Sequence, residues 1–470
     1  MLGVGIYFYL NNRDREDYYV GGRSMSSGHI GLSVVATDVG GGFSIGLGGL
    51  GFLMGISGSW MLFTGLIGAW LSAVFLIPKV SGVARRLGFL TFPQLFNHFY
   101  NKRVAMAAGI ISAIGYIGFT SSQLLAGAKL ASATFLDLDM NMALIIMGVI
   151  AVAYTVVGGL KAVIYTDTVQ WIILMTGLIF IGIPTGYMAI GGISAIRETV
   201  GPEYLQLTNI APVTFFNWFI TIVPIWFVGM TLYQRIYACK DEKTARRAWL
   251  VAGLFEYPIM AFMGVLLGLF AKVAFDQGMF EYAGFASGSD IDAELGLPLL
   301  LRTVLPIGLT GLMLSAYFSA IMSTADSCLM AASGNIVSDI IEVVKSKSNA
   351  VFVSLRYSQV VTLIVGICAL LIASLMQNVL ELMLLSYAFM VSGLFVPVVA
   401  ILIFKKPDAD AAFWAIVCGG TVTIALILAG IQLPFGLDVN FAGLGSSAVV
   451  YALMHHRARQ KSRGIGAPGS

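Results

Sequence analysis

The chain has 470 residues, of which 58% are hydrophobic and 11% charged, with a net charge of +3 and a mean hydropathy of +0.88. A soluble domain carries about 25% charged residues, so this composition excludes a soluble enzyme or binding module and points to a chain embedded in lipid. The net charge itself says little; its distribution along the chain is what informs.

An apolar stub at 1–10 opens the chain. It is too short to span a bilayer alone, and it has no basic n-region or small-residue cleavage site. It reads as the end of a thirteenth, partial span. Twelve apolar runs follow, at 29–55, 57–78, 103–135, 141–158, 164–190, 213–234, 248–275, 299–336, 351–376, 379–404, 411–432 and 439–454. Each is long enough to be read as a transmembrane helix.

In the first run, Asp38 and Val39 precede Gly40, Gly41 and Gly42, followed by Phe43 and Ser44. Each mid-helix glycine costs roughly 1 kcal/mol relative to alanine. Three in a row predict an unwound segment, which would offer carbonyls to a cation and a half-helix N-terminus to an anionic group. The later glycines, Gly46, Gly48, Gly49 and Gly51, predict close helix packing. The third run carries a polar patch, Ser121, Ser122 and Gln123. Before the fifth stands Gly158-Gly159-Leu160-Lys161-Ala162-Val163, with Asp167 at the run's inner end. The sixth run holds Trp226 and Phe227 between Pro224 and Gly229, a spacing that predicts a second break. Interrupted helices at the first positions of two five-span halves point to an inverted repeat with its site at the midplane.

The eighth run contains Ser323-Thr324-Ala325-Asp326-Ser327. Polar groups at bilayer depth are expensive and mark ion or substrate pathways. Oxygen-only donors suit a hard cation such as sodium. Helix–helix hydrogen bonding is the blander role for Ser323 and Thr324. Lys129 and Glu381 lie in or near apolar runs and take no role from the sequence. The cysteines (Cys239, Cys328, Cys368, Cys418) and histidines show no metal-ligand spacing and read as packing or solvated groups.

If the loop after residue 10 is cytoplasmic and the runs alternate, all but four of the 27 Lys and Arg fall inside; Lys129, Arg197, Lys272 and Arg302 are the exceptions. Arg235 is among the inside charges. The bias predicts a cytoplasmic C-terminus. No phosphate-binding Gly-rich loop with Lys and Ser/Thr occurs, which argues against ATP-driven transport by this chain alone. No nucleophile–base pair supports an enzyme, and no selectivity-filter string supports a sodium channel or leak pathway, the rival from another class.

At this point the chain resembles the sodium/solute symporter family, the relatives of proline, sialic acid, sugar and choline transporters. Four strings carry the resemblance over nearly the whole chain: Asp17-Tyr18-Tyr19-Val20-Gly21-Gly22-Arg23-Ser24, the break at 36–42, the 158–170 segment with Thr166, Asp167 and Gln170, and Ala320-Ile321-Met322-Ser323-Thr324-Ala325-Asp326-Ser327. Tyr233-Gln234-Arg235 adds to them. The resemblance implies an all-α polytopic LeuT-type fold of two inverted five-span repeats (spans 1–5 and 6–10), with a partial N-terminal span and two C-terminal spans. It implies one transmembrane domain over 1–456, with core repeats at about 29–190 and 213–404, accessory segments 1–10 and 411–454, and a basic tail at 457–470. Its sodium ion would be held by the carbonyls of Ala36, Val39 and Ala320 and the hydroxyls of Ser323 and Thr324. A second sodium would use Ser323, Asp167, Asp326 and Ser327; the two carboxylates equally admit a proton as coupling ion. Asp38 matches an aspartate of proline-type members and would support the ion electrostatically. Choline-type members carry a cage aromatic where Asp38 stands, and sugar-type members a glutamine where Phe43 stands. The implied activity is sodium-coupled symport of a small zwitterion or carboxylate, proline-like amino acids first, beside Gly40, Gly41, Gly42, Phe43, Ser44, Gln123, Trp226 and Phe227. The expected partners are that solute and the lipid bilayer, in a bacterial plasma membrane, with no nucleic acid and no obligate protein partner.

Overall fold

In lipid a chain must satisfy its backbone polar groups internally, which leaves helices as the open-chain solution. The computed structural model describes residues 23, 25–345 and 355–464, without side chains at 38, 39, 41–43, 157–168, 345, 355 and 461–464. The stub at 1–10 and the string at 17–24, apart from Arg23, lie outside the described residues. Among the described residues there are only helices, turns and one isolated bridge, between Met25 and Cys239.

The helices run α1 (Ser27–Met54), α2 (Trp60–Leu71), α3 (Ile77–Leu87), α4 (Pro93–Phe99), α5 (Lys102–Thr134), α6 (Met140–Gly177), α7 (Ile183–Ala189) and α8 (Gly192–Thr199). Then come α9 (Pro212–Val228), α10 (Met230–Ala238), α11 (Glu242–Leu254), α12 (Ala261–Asp276), α13 (Gly296–Val304) and α14 (Ile307–Gly334). The last are α15 (Glu342–Lys345), α16 (Leu355–Ala373), α17 (Val379–Ile403), α18 (Ala409–Leu428) and α19 (Val439–Gly464). Several seams are proline effects. Pro78, Pro184 and Pro258 lie in or just after π-helical turns at Ser72–Leu76, Leu178–Gly182 and Phe255–Met260. A ring nitrogen that cannot donate shifts the local ladder at the first two, and ahead of Pro258 the chain leaves helical geometry at Tyr257 (φ −134°, ψ 124°).

Among the described residues, eight helices are long and apolar enough to cross a membrane, or nine when the bent pair α9–α10 counts as one. Twelve were expected. The half of α1 from Ser44 onward runs together with α2 and α3 as Ser44–Leu87, and Met140–Val156 forms a shorter apolar helix. The expected fourth and fifth spans both fall within α6 and α7. The last expected span is α19, which does not stop at 456 but continues helical into the basic tail.

The eighth span differs from its sequence-based bounds. The run 299–336 is not one helix: α13 ends at Val304, and Leu305 is extended (φ −92°, ψ 142°) ahead of Pro306. Proline forces the preceding residue out of helical geometry. The crossing helix therefore begins at Ile307, and it runs through a π turn at Asn335–Ile341 to Lys345.

At the centre, α1 packs on α14, α6, α11 and α12, while α14 also packs on α5 and α6. The late glycines of α1 do what close packing predicts. A methyl on Gly51 would lie 2.2 Å from the Val265 carbonyl oxygen, and one on Gly268 would lie 2.0 Å from that of Gly48. The backbones of α1 and α12 touch, which only glycine permits.

Candidate functional site

The first break lies where the three glycines predict it. Gly40 sits inside α1 at φ 24°, ψ −162°, a conformation that L side chains avoid. Space excludes any side chain as well: a Cβ there would lie 2.5 Å from Thr324 Oγ1. Thr324, wholly buried on α14, is seated against the break. Its hydroxyl donates to Ala36 O at 3.1 Å and to Ala320 O at 3.3 Å. Ser44, one turn beyond the break, returns its hydroxyl to Gly40 O at 2.7 Å. Ala36, Ala320 and Thr324 thus bring three oxygens of two helices into one buried cluster, with Ser323 buried on the next position. Neutral oxygens are the donor type that suits a hard cation. Asp38, Val39, Gly41, Gly42, Phe43 and Asp167 lie outside the residues whose side chains are described.

The second break also forms. α9 and α10 bend by 42° at Gly229, which is extended (φ −68°, ψ 114°), whereas Pro224 remains inside α9. Tyrosines satisfy the opened ends. The Tyr116 hydroxyl on α5 accepts from Thr231 N at 3.1 Å, and the Tyr233 hydroxyl donates to Phe227 O at 2.8 Å.

The aromatic pair at this break divides. Phe227 faces α17, edge-on to Phe395 with centroids 5.7 Å apart. Trp226 points elsewhere: it packs on Gly68 of α2 and on Trp249 of α11. Adjacent helical residues differ by about 100° in direction, which turns Trp226 toward α2 and α11 and Phe227 toward α17. Gln123 is buried on α5, its amide donating to Ser122 Oγ at 3.3 Å.

Two of the four positions expected to hold a second ion, Asp326 and Ser327, are engaged by protein. Asp326, fully buried, accepts from Thr155 Oγ1 at 2.5 Å. Ser327 accepts from the guanidinium of Arg235 at 3.1 Å. Here the sequence reading needs correction. Arg235 counts there as a loop charge, yet it is wholly buried. Its Nε donates to Ser33 Oγ at 3.1 Å, Nη1 to Thr231 O at 3.1 Å, and Nη2 to Thr37 Oγ1 as well as Ser327. The string Tyr233-Gln234-Arg235 was the signal available, but a basic residue at a span end is normally a solvated one.

The end of the bundle carrying Asp290, Asp292 and Glu294 is its acidic end. A cavity of about 900 Å³ opens there, lined by Gly46, Leu50 and Leu53 of α1 and by Leu380 and Glu381 of α17. Its innermost α1 residue, Gly46, is two residues from Ser44. Beside it lies the partner that Lys129 lacked in the sequence. Lys129 Nζ donates to Glu294 Oε2 at 2.6 Å and to Asp292. The Glu294 carboxylate also accepts from Val379 N at 2.9 Å and Leu380 N at 3.0 Å, capping the N-terminus of α17 where a helix favours negative charge.

Comparison with known proteins follows this geometry. The family model described as "Sodium:solute symporter family" matches residues 18–419. The high-affinity proline transporter PutP of Bacillus subtilis (strain 168) is 28% identical over 92% of this chain and 91% of its own length. Sodium/glucose cotransporter 1 of Oryctolagus cuniculus is 25% identical over 91% of this chain and 70% of its own length. Among solved structures, the substrate-bound outward-open state of a Na+-coupled sialic acid symporter superposes with a TM-score of 0.73 at 22% identity, covering 100% of this chain and 96% of the other. That likeness carries the fold: the all-α, LeuT-type architecture expected from the sequence is the one the chain has.

Proposed function

This chain belongs to the sodium:solute symporter family, and on that premise we propose that it moves a small zwitterionic or carboxylate solute across the membrane together with sodium. The observation that carries the reading is the contact of Thr324 with Ala36 and Ala320 beside the Gly40 break. Sodium entering this cluster replaces the threonine's hydrogen bonds with ion–oxygen contacts to Ala36, Val39, Ala320, Ser323 and Thr324. It thereby ties the broken α1 to α14. Asp38 supports the ion through its charge. The solute binds beside Gly40 and Ser44, on the side of Phe227 and Gln123, its carboxylate met by the opened half-helix N-terminus.

Access alternates by rocking of helix bundles about this point. Sodium and solute each raise the other's affinity by the same factor. The Lys- and Arg-rich end, with the C-terminus, faces the cytoplasm, so an inward-negative potential drives sodium inward by about 2.3 kcal/mol per charge per 100 mV. Proline leads the solute panel, because a proline transporter is among the relatives and Asp38 matches proline-type members; glucose and sialic acid follow from the other relatives.

The test is uptake into proteoliposomes under an inward sodium gradient, with potassium replacing sodium as control. Thr324→Ala is expected to raise the sodium concentration for half-maximal uptake by about tenfold or more, the equivalent of one lost ion–oxygen contact of 1.4 kcal/mol. Uptake of every panel solute at equal rate in potassium would overturn sodium coupling. The buried carboxyl of Asp326 favours one second reading, proton coupling. Uptake in potassium that follows an imposed pH gradient would establish it.

A further inference from the structure

We propose that Arg235 is a positioning residue for the ion cluster, setting the separation of α1 and α14 from one helical turn away. This rests on the sodium site proposed above. The cluster is a contact between Ala36 on α1 and Thr324 on α14. Arg235 bonds the same two helices. Ser33 and Thr37 flank Ala36, three residues before it and one after, and Ser327 lies three residues after Thr324. A fourth bond, to Thr231 O, ties the guanidinium back to its own helix α10, just past the Gly229 break.

One rigid group therefore spans α1, α10 and α14, the two broken helices and the polar helix between which an ion would sit. Guanidinium suits this task and ammonium does not. Its planar fork presents five donors in fixed directions, so holding three partners also fixes their spacing. A buried cation is costly unless well bonded, so a helix that needed only to span would not place one here. Its charge also bears on the ion. A guanidinium about one turn (5.4 Å of rise) from a cation site repels the ion it helps to house. Positioning and repulsion predict opposite outcomes when the charge is removed, and this separates them. If positioning governs, Arg235→Lys, which keeps the charge but not the fork, and Arg235→Gln, which loses both, each weaken sodium binding. If repulsion governs, Arg235→Gln tightens it.

The experiment is thermal unfolding of the full chain in detergent, titrated with sodium chloride against potassium chloride at constant ionic strength. Stabilisation that saturates with sodium reports binding by mass action. Both Arg235 variants are expected to raise half-saturating sodium by about tenfold, as α1 and α14 lose the fork that sets their separation. Variants that melt lower in both salts but keep the parent's half-saturation would show a merely structural arginine and overturn the proposal, as would tighter binding in Arg235→Gln. Should neither variant fold, Ser33→Ala and Thr37→Val each remove one acceptor and are expected to raise half-saturation several-fold; an unchanged value overturns the proposal equally. No sodium-specific shift in the parent chain would instead overturn the ion site itself, a result distinct from failure of the arginine alone.

Discussion

Among the described residues two cations are buried, Lys129 and Arg235, and they bond to different kinds of group. At the acidic end, Lys129 meets the carboxylates of Asp292 and Glu294, and Glu294 also caps α17. Toward the other end, Arg235 reaches hydroxyls and a carbonyl on three helices. The lysine cluster concentrates charge on charge at one point, joining α5, the loop before α13 and the start of α17. The arginine fork distributes hydrogen bonds over three hydroxyls and a carbonyl. An ion pair at low exposure resists partial loss, because either partner alone is a stranded charge. Bonds to hydroxyls can be exchanged one at a time. The first arrangement staples; the second sets distances and can yield.

Removing one side of the staple breaks this comparison most sharply. Glu294→Ala leaves Lys129 with Asp292 alone and uncaps α17, and should cost about 3 kcal/mol, read as a fall in melting temperature in detergent. Adding Lys129→Met should restore part of it, because the buried ammonium is gone and the Asp292 carboxylate left behind is partly exposed, while the cap of α17 stays lost. A double variant no more stable than the single would show that the cap, not the pair, carries the energy.

Gly40→Ala probes the other region at its hinge. The strained backbone alone costs of order 1–3 kcal/mol, and the new methyl would displace Thr324. The expected signature is loss of sodium-specific stabilisation beyond the general loss of stability. Sodium titration of the variant checks it, and a retained sodium response would place the ion elsewhere.

The smallest effects come from two helix caps, one at each end of the bundle. Asp241 caps α11, and its hydrogen bonds to Thr244 hold the carboxyl below its ordinary value of 3.8. Its contribution to stability is present above 3.8 and is lost as pH falls through the depressed value. Asp438, at the acidic end before α19, is raised above 3.8 by burial. Its contribution is full below 3.8 and is lost as pH rises through the raised value. Asp241→Asn should therefore flatten the acid limb of a stability–pH profile, and Asp438→Asn should flatten the decline above 3.8. Melting curves across pH 3–7 in detergent would show either variant failing to do so.

Much of this was legible in the chain because lipid makes its demands locally. A run of apolar residues long enough to cross must be helical, and three mid-span glycines mark a break whatever surrounds them. Gly40 and Gly229 broke where the sequence placed them for that reason. Pro306 was equally visible, but apolar residues on both sides hid that they belong to two helices. Trp226 and Phe227 are neighbours in sequence beside the expected solute position, and only packing shows that they turn to different helices.

The sequence by itself determined the helical class, the two hinges, the oxygen-rich strip on α14 and the family. Each follows from neighbours along the chain or from short strings in order. Only the tertiary structure decided what the buried charges do. Lys129 finds its carboxylates 163 and 165 residues away, and Arg235 finds Ser33 202 residues away and Ser327 92 away. No local rule separates a basic residue that ends a span from one that the packing of three helices encloses, because most of the bonds that permit its burial go to groups distant in sequence.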